Sequence, residues 1–387
     1  MKQLYLAATG QNRGKTTASL GLLDGFVQRG LRAGFMKPVG QRTVIDDGEP
    51  ADEDAVLMRT TFHLPEPYSV LSPVHIPRGF TKAYIAGEVV EDLPARISRA
   101  HARFADHDVL LIEGTGHAGV GAVIGLSNAA VAGSLGAPAI IVSEGGVGRP
   151  IDEIVLNASL FAQHGVKVAG AIVNKVDVAA QPGIERVLDR GLAPYGIPLL
   201  GILPVRPLLS NPTLEMILEG VHGETIHPGP DLERVIDGVA IGAMEPGHML
   251  ERVGPKTLVI VPGDREDVIL TLTTAHLMGA PRSATTEELT RPTLSLDDGH
   301  AGAAIGLVLT GGYRRRKSVI EAIRRADLFA TLVPRDTYTV ASEVHDLLVK
   351  THAADVEKIE MIKQLVAANL DIDRVLGVAT EARSATD

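Results

Sequence analysis

The segment Ala-Thr-Gly-Gln-Asn-Arg-Gly-Lys-Thr-Thr at residues 8–17 constrains the fold more than any other part of the chain. An apolar run precedes it and a helical pattern follows it, which is the context in which backbone N–H groups at a helix N-terminus wrap a phosphate. It ends in Gly14-Lys15-Thr16, as loops of the pattern G-x-x-x-x-G-K-[ST] do, but Thr9 stands where that pattern has glycine. Two interpretations follow, a nucleotide site with an unusual loop and a chance triplet in a strand–turn–helix.

A true phosphate loop divides the recognition of a nucleoside triphosphate among several groups. Lys15 would bridge the β- and γ-phosphates, and the hydroxyl of Thr16 would bind Mg²⁺. The predicted nucleotide-binding residues of the loop are Thr9, Gly10, Gln11, Asn12, Arg13, Gly14, Lys15, Thr16 and Thr17.

Short apolar runs alternate with helical patterns along the first half of the chain. The runs are Leu4–Ala8, Ala33–Met36, Val109–Ile112, Ala139–Val142, Val168–Val173 and Leu199–Leu203. Continuously apolar strands are typical of a parallel sheet with helices on both faces, so we predict an α/β fold with a doubly wound parallel sheet. Prolines at 204–212 interrupt the pattern. The predicted organisation is a P-loop domain at 1–212, a smaller α/β domain at 213–370 and a carboxyl-terminal tail at 371–387.

The composition limits the cellular compartments and the classes of binding partner that we expect for this protein. A net charge of −10, a pI near 5.7 and an aromatic content of 3% argue against nucleic acid and anionic membranes as partners. No apolar run approaches the length of a membrane span and no signal-peptide pattern is present, so we expect a cytoplasmic protein. The absence of cysteine excludes disulfides, iron–sulfur clusters and a thiol-dependent glutaminase from this chain.

The loop and three later motifs resemble dethiobiotin synthetase and its relatives. In that family a threonine also replaces the first glycine of the loop, as Thr9 does here. The segment "MKPVG" with Lys37 resembles the family's Lys-Pro-Val segment. Asp54 in "DEDAVLMR" matches its magnesium-associated aspartate, and Glu113 in "LLIEGTGH" matches its acidic residue after a long strand. The resemblance implies catalytic roles for Lys15 and Lys37 and a Mg²⁺ site formed by Thr16, Asp54 and Glu113.

The three later residues have ordinary alternatives when each is taken alone. Asp54 lies in an acidic cluster that could be a solvated face, and Lys37 could be a surface lysine. Glu113 ends an apolar strand, where a carboxylate seldom lacks a partner. If the carboxyl ends of the strands meet in one crevice, Asp54 and Glu113 hold Mg²⁺, and Lys37 steadies an anionic acceptor or the charge in transfer.

Asn174-Lys175-Val176-Asp177 has the N-K-x-D pattern that guanine-selective GTPases use. The resemblance to dethiobiotin synthetase implies instead that Asn174 contacts adenine and that Pro204 lines the base pocket. The residues themselves leave ATP and GTP open. We expect ATP with Mg²⁺, because the other motifs follow that family.

The second domain carries Asp264-Arg265 after one predicted strand and Thr310-Gly311-Gly312 after another. These residues resemble the DRTGG domain. They could frame a small crevice for a metabolite, and the alternative is a set of tight-turn glycines beside a solvated basic run.

The pairing of the two domains resembles the amino-terminal part of long phosphate acetyltransferases, without the acetyl-transfer domain. It implies a free-standing regulator that responds to a nucleotide or metabolite and has ATPase capability, and not a phosphate acetyltransferase. The alternative is an ATP-dependent ligase that phosphorylates a small carboxylate or carbamate, with chemistry like that of dethiobiotin synthetase or cobyrinate diamide synthase. We also expect a homodimer and a protein partner under regulation.

Overall fold

The computed structural model describes residues 1–206, 209, 211–278, 304–313, 316–345, 347 and 351–381. The chain forms two units. The first consists of Met1–Leu209 together with Lys350–Asp387, and the second of Ser210–Val349. The first crossing between the units lies within a few residues of the predicted boundary at residue 212.

The first unit is built on a parallel sheet. Its strands are β1 (Lys2–Ala8), β2 (Ala33–Met36), β3 (Val39–Gly40), β4 (Thr43–Asp46), β5 (Glu49–Asp52), β6 (Val74–His75), β7 (Val109–Glu113), β8 (Ala139–Glu144), β9 (Val168–Val176) and β10 (Leu199–Pro204). The main sheet has the parallel order β10-β9-β8-β1-β7-β2, and β3–β6 and β4–β5 form small separate ladders. The prediction of a doubly wound parallel sheet is confirmed.

Helices connect these strands, because parallel neighbours cannot be joined by a tight turn. The helices of the first unit up to β10 are α1 (Lys15–Val27), α2 (Glu53–Phe62), α3 (Tyr68–Leu71), α4 (Phe80–Ile85), α5 (Leu93–Ala102), α6 (Asn128–Leu135), α7 (Gly148–Gln163) and α8 (Ile184–Leu192). Among the helices of the described ranges, none is long and apolar enough to cross a bilayer.

Burial of both sheet faces explains the apolar strands and also where the polar residues lie. Every residue of β7 is buried, and β8 is buried up to its last residue. Polar side chains come at or near the carboxyl ends of the strands: Glu113 ends β7, Glu144 ends β8, and Asn174 lies near the end of β9. Since the strands are parallel, all three residues lie along the same edge of the sheet as the loop after β1.

The second unit contains its own sheet, with strands β11 (Glu224–His227), β12 (Gly238–Ile241), β13 (Thr257–Pro262), β14 (Gly306–Thr310) and β15 (Phe329–Leu332). The order is β11-β15-β14-β13-β12, and β11 alone pairs antiparallel with its neighbour. The described helices of this unit are α9 (Leu214–Val221), α10 (Pro246–Leu250), α11 (Glu266–Met278), α12 (Lys317–Arg325) and α13 (Thr337–His345). Alternate residues of the central strands enter two apolar clusters, Leu258 and Ile260 in one and Val259 and Val261 in the other. The prediction of a smaller α/β second domain is confirmed.

After the second unit the chain returns to the first. Helix α14 (Val356–Asn369) packs along α1, α15 (Ile372–Val378) follows it, and β16 (Thr380–Glu381) pairs antiparallel with the start of β1. The predicted second domain at 213–370 and the predicted tail at 371–387 therefore need correction, because residues 350–387 belong to the first unit. The reason is packing: Ile362 and Val366 of α14 are buried in the core of the first unit.

A candidate nucleotide-binding site

The loop after β1 has the backbone that a phosphate cradle requires. Asn12 and Gly14 both have positive φ, 57° and 93°, and α1 begins directly after Gly14. Gly14 could not carry a side chain, because a Cβ there would overlap the side-chain amide of Asn174. Alternating backbone conformations of this kind turn successive N–H groups toward one point.

Thr9 fits the place of the first glycine because that place has no special backbone requirement in this chain. Its φ is not positive, and its amide donates to the carbonyl of Val142, so it continues the pairing of β1 with β8. Its hydroxyl lies 3.2 Å from that of Ser143. The positions that need left-handed backbone are 12 and 14, and the sequence supplies Asn and Gly there, two residue types that adopt it.

Thr16, Lys37, Asp54 and Glu113 come together beside the loop. The hydroxyl of Thr16 donates to Asp54 Oδ1 at 2.9 Å and lies 3.5 Å from Glu113 Oε1. The ammonium of Lys37 lies 2.5 Å from Asp54 Oδ2 and 2.8 Å from Glu113 Oε1. Lys37 is 5% exposed as a side chain and Glu113 is fully buried. The prediction that these residues share one crevice therefore agrees with the geometry, and Lys37 is not a surface lysine.

Local sequence explains how the cluster is delivered. Lys37 follows β2 and Glu113 ends β7, two neighbouring strands of the sheet. Asp54 lies in the first turn of α2, whose N-cap Asp52 accepts a hydrogen bond from the amide of Asp54 at 3.0 Å. The acidic run at 52–54 is thus divided, with Asp52 capping the helix and Asp54 facing Lys37.

The carboxylates are held in different protonation environments. Burial raises the pKa of Glu113 to about 7, against the opposing pull of the Lys37 ammonium. Burial also acts to raise the pKa of Asp54, but the Lys37 charge and the hydrogen bonds from Lys37 and Thr16 outweigh it and lower that pKa to about 2. Burial lowers the pKa of Lys37 and the surrounding carboxylates raise it, with a net rise. Lys37 is therefore charged and neutralises Asp54.

The donor set suits Mg²⁺. A hydroxyl from Thr16 and carboxylates from Asp54 and Glu113 are oxygen ligands, and one buried oxygen, Glu113 Oε2, has no hydrogen-bond partner. Mg²⁺ usually takes one or two protein carboxylates and completes its shell with phosphate and water.

Lys15 is the second cation of the site. It is 8% exposed at the first position of α1, and burial together with the nearby Lys37 charge lowers its pKa to about 8. Because these surroundings disfavour the charged form of Lys15, an anion placed beside it would stabilise that charge. Of the other predicted loop residues, Gly10 and Thr17 are half-buried, and Gln11 is exposed.

Residues at the ends of β8 and β9 support the loop, and one of them, Glu144, was missed by the sequence analysis. Glu144 pairs with Arg13 and, at 2.9 Å, with Lys175. Asn174 donates to the carbonyl of Arg13 at 3.2 Å, and Lys175 donates to the carbonyl of Asn12 at 3.3 Å. The signal for Glu144 was available, since it ends an apolar strand in the same way as Glu113.

The glycine-rich loop that follows β7, residues 114–127, is also held by residues that the sequence analysis did not assign to the site. Asn128 accepts from the amide of Thr115 at 3.0 Å and donates to the carbonyls of Thr115 and His117 at 2.7 and 2.6 Å. Asn157 accepts from the amide of Ala118 at 2.8 Å. These amide side chains hold the backbone of the loop in place by hydrogen bonds, even though the loop contains several glycines.

The geometry gives the positions of the residues of the predicted base pocket, but it does not test their contact with adenine. Pro204 ends β10 opposite Val176, two residues after Asn174. Asp177 is exposed and accepts a hydrogen bond from the amide of Ala180 at 2.9 Å. A contact of Asn174 or Pro204 with adenine remains a prediction.

In the second unit the predicted residues lie on adjacent strand ends, and several have contacts of their own. Pro262 and Thr310 are register partners of β13 and β14. Arg265 donates to the carboxylate of Asp267 and to the carbonyls that follow β12, at 2.9–3.1 Å. Thr310 shares a 2.7 Å hydrogen bond with the hydroxyl of Thr337. Asp264 is exposed, and Gly311 and Gly312 have positive φ of 85° and 63°.

Comparisons with known proteins agree with this geometry. Residues 2–213 match the AAA domain family and residues 216–347 match the DRTGG domain. The chain is 28% identical over 393 residues to a phosphate acetyltransferase of Pseudomonas putida, and 26% identical over 394 residues to one of Pseudomonas aeruginosa. Each alignment covers 96% of this chain and 51% of the relative, so the chain spans about half the length of these relatives.

One solved structure similar to the chain is the MinC:MinD cell division protein complex of Aquifex aeolicus, with 12% identity and a TM-score of 0.35. The match covers 54% of this chain and 84% of that chain. The family matches account for both units described above, including the loop, the carboxylates and the second sheet. The chain belongs to the AAA domain family through residues 2–213 and carries a DRTGG domain at residues 216–347.

Proposed function

We propose that the first unit binds ATP with Mg²⁺ and that the protein is a nucleotide-responsive regulator with ATPase capability. The observation that carries the proposal is the meeting of Thr16, Lys37, Asp54 and Glu113 within 3.5 Å contacts beside the loop. Four separated segments deliver them, and their charges and oxygens complement a metal-bound triphosphate.

The roles follow from chemistry and position. Lys15 and the loop amides bind the phosphates, and Thr16, Asp54 and Glu113 hold Mg²⁺, which neutralises phosphate charge when bound. Lys37, which contacts both carboxylates, would steady the charge that develops in transfer. Asn174 and Pro204 are the proposed contacts of adenine.

The regulatory part of the proposal rests on the second unit. The similarity to phosphate acetyltransferases extends through the DRTGG domain, so both units recur together in those relatives. We infer that Asp264, Arg265, Thr310, Gly311 and Gly312 bind a small metabolite, and that a protein partner or a second copy of the chain reads the state of the pair. The two ligands must then change each other's affinity.

Nucleotide binding is tested by titration calorimetry with ATP and Mg²⁺ on the wild-type chain, on Lys15→Ala and on Lys167→Ala. Lys15→Ala should weaken binding at least about tenfold, because a buried charge-assisted contact is lost. Lys167 is exposed before β9, so its variant should bind like wild type. Equal affinities for all three proteins, or no magnesium-dependent binding by wild type, would overturn the proposal.

A second function is favoured by the state of Lys37. A fully buried, charged lysine beside two carboxylates is suited to phosphoryl transfer and is more than nucleotide binding requires. An ATP-dependent ligase acting on a small carboxylate or carbamate would use it. Steady-state ATP hydrolysis measured with and without a panel of small carboxylic acids separates the two functions. Strong stimulation by one acid selects the ligase, and tight binding with slow turnover that no acid stimulates selects the regulator.

A further inference from the structure

We propose that Asn174 and Lys175 are positioning residues of the phosphate loop. In this role they hold the loop carbonyls, and in that way they aim loop amides at the phosphate. The inference rests on the proposed nucleotide site and adds a task for the N-K-x-D segment that is separate from reading the base.

The first step is the contact itself. The side-chain amide of Asn174 donates to the carbonyl of Arg13 at 3.2 Å, and the ammonium of Lys175 donates to the carbonyl of Asn12 at 3.3 Å. Asn174 is 5% exposed and also lies against Gly14, where no Cβ could be accommodated. Two consecutive loop carbonyls are thus held by two consecutive residues of β9.

The second step follows from the planarity of the peptide bond. The peptide bonds of the loop are trans, as are the others within the described residues, so the N–H of each peptide unit points opposite to its carbonyl. Holding the Asn12 and Arg13 carbonyls toward β9 directs the N–H groups of Arg13 and Gly14 away from β9, into the hollow of the loop. Residues 11 and 12 form a turn that the Arg13 amide closes, whereas the amide of Gly14 makes no backbone hydrogen bond within the described residues. The Gly14 amide is a donor at the N-terminus of α1.

The third step is what holds Lys175. Its φ of 54° is left-handed, which is uncommon for a residue with a side chain. Glu144, the register partner of Asn174 on β8, lies 2.9 Å from the Lys175 ammonium and also pairs with Arg13. The ion pairs orient Lys175 at the loop, and burial lowers the pKa of Lys175, ahead of the effect of the Arg13 charge.

The test compares ATP, GTP and inorganic triphosphate as ligands, each with Mg²⁺, by calorimetry. Lys175→Met should weaken all three by a similar factor of about ten, because the loop is common to them. Asn174→Ala should also weaken inorganic triphosphate about tenfold, and it should weaken ATP by at least as much, since Asn174 is also a proposed contact of adenine. Lys175→Arg keeps a donor and should stay within about threefold of wild type. Lys167→Met is the matched control and should change nothing.

A base-reading role predicts a different result. If Asn174→Ala weakens ATP but not inorganic triphosphate, Asn174 acts through the base alone and the inference is wrong for it. If Lys175→Met binds all three ligands like wild type, the inference is wrong for Lys175.

Hydrogen exchange of the nucleotide-free protein gives a readout that does not require ligand binding. The peptide covering residues 9–17 should exchange at least about threefold faster in Lys175→Met than in wild type, with core strand peptides unchanged. Unchanged exchange in the loop overturns the inference. Failure of wild type to bind any triphosphate overturns the proposed function instead, so the two failures are distinguishable.

Discussion

Glu113 and Asp54 show how one environment gives two carboxylates different tasks. Both contact Lys37, yet Glu113 is fully buried at the end of a strand, whereas Asp54 lies at a helix start and is partly exposed. Lys37 is a single positive charge and stabilises one ionised carboxylate better than two. A divalent metal in its place would stabilise both, which is the physical reason to expect tight coupling between metal and nucleotide.

Glu113→Gln tests this coupling at a single residue. It keeps the shape but removes a metal-binding charge, so we expect ATP affinity in the presence of Mg²⁺ to fall about tenfold or more. Affinity for ATP in the presence of a chelator should not fall, because a negative charge near the phosphates has been removed. Calorimetry under both conditions measures the difference. Glu91→Gln, which alters an exposed ion pair with Arg96, is the control.

A lower chelator-condition affinity in Glu113→Gln, or an unchanged affinity with Mg²⁺, would contradict a metal-binding role. Either result would leave Glu113 as a partner of Lys37 alone. The wild-type ratio of the two affinities sets the scale for the comparison.

His101 gives a prediction about how the stability of the first unit changes with pH. Its Nε2 lies 2.7 Å from Gln3 Oε1 of β1, and burial lowers its pKa below the usual value. As the pH falls below about 6.5, the unfolded chain takes up the proton first, so the folded state loses stability as the pH continues down through the folded pKa. His101→Gln removes this dependence.

Urea unfolding at about pH 7.5 and about pH 5 measures the effect. Wild type should lose more free energy of unfolding than His101→Gln between the two values. A larger loss in the variant would mean that the protonated imidazole is stabilised where it lies.

At the scale of elements, the strands were predictable and their partners less so. All six predicted strands of the first sheet exist, because an apolar run buried on both faces has little alternative. The segment now seen as α14 fell within the predicted second domain at 213–370 but belongs to the first unit. The apolar residues Ile362 and Val366 indicate that this helix is buried against another part of the protein, but they do not indicate which part. In the same way, the pattern of Asn174 and Lys175 did not reveal their contacts with loop carbonyls.

Packing of α14 on α1 gives the prediction for this scale. A Cβ at Gly21 of α1 would meet the side chain of Val366, which is buried and β-branched and has few ways to move. Gly21→Leu should therefore lower the free energy of unfolding of the first unit by about 2 kcal/mol or more. Gly148→Leu is the control, because Gly148 is exposed and nothing lies within 4 Å of its Cβ position.

Urea unfolding of the two variants beside wild type measures the difference. Adding Val366→Ala to Gly21→Leu should recover part of the loss, since the smaller side chain makes room. A Gly21→Leu protein as stable as the control would show that α14 does not pack on α1 in solution.

At the scale of the molecule, the first unit is formed by two stretches that are far apart in the sequence. The chain leaves the first unit after β10 and completes it only with α14, α15 and β16. Arg29, just after the end of α1, is bound to Asp373 at 2.7 and 3.0 Å, and Leu370 forms a backbone bridge with Gly201 of β10. Residues 351–381 are therefore part of the first unit, although the family match to that unit ends at residue 213.

Two shortened chains test this path. One ends at residue 213, and the other joins residue 209 to residue 350 through a flexible linker of about 12 glycine and serine residues. The first exposes the apolar faces of α1 and β10 that α14 covers, so it should unfold without a cooperative transition and bind Mg-ATP at least about tenfold more weakly. The second keeps the complete sheet and its covering helix, so it should unfold cooperatively and bind Mg-ATP within about threefold of the whole chain. Thermal unfolding and calorimetry measure both properties. If the chain ending at residue 213 matched the whole protein, the returning segment would be a surface attachment, and the first unit would end where the family match ends.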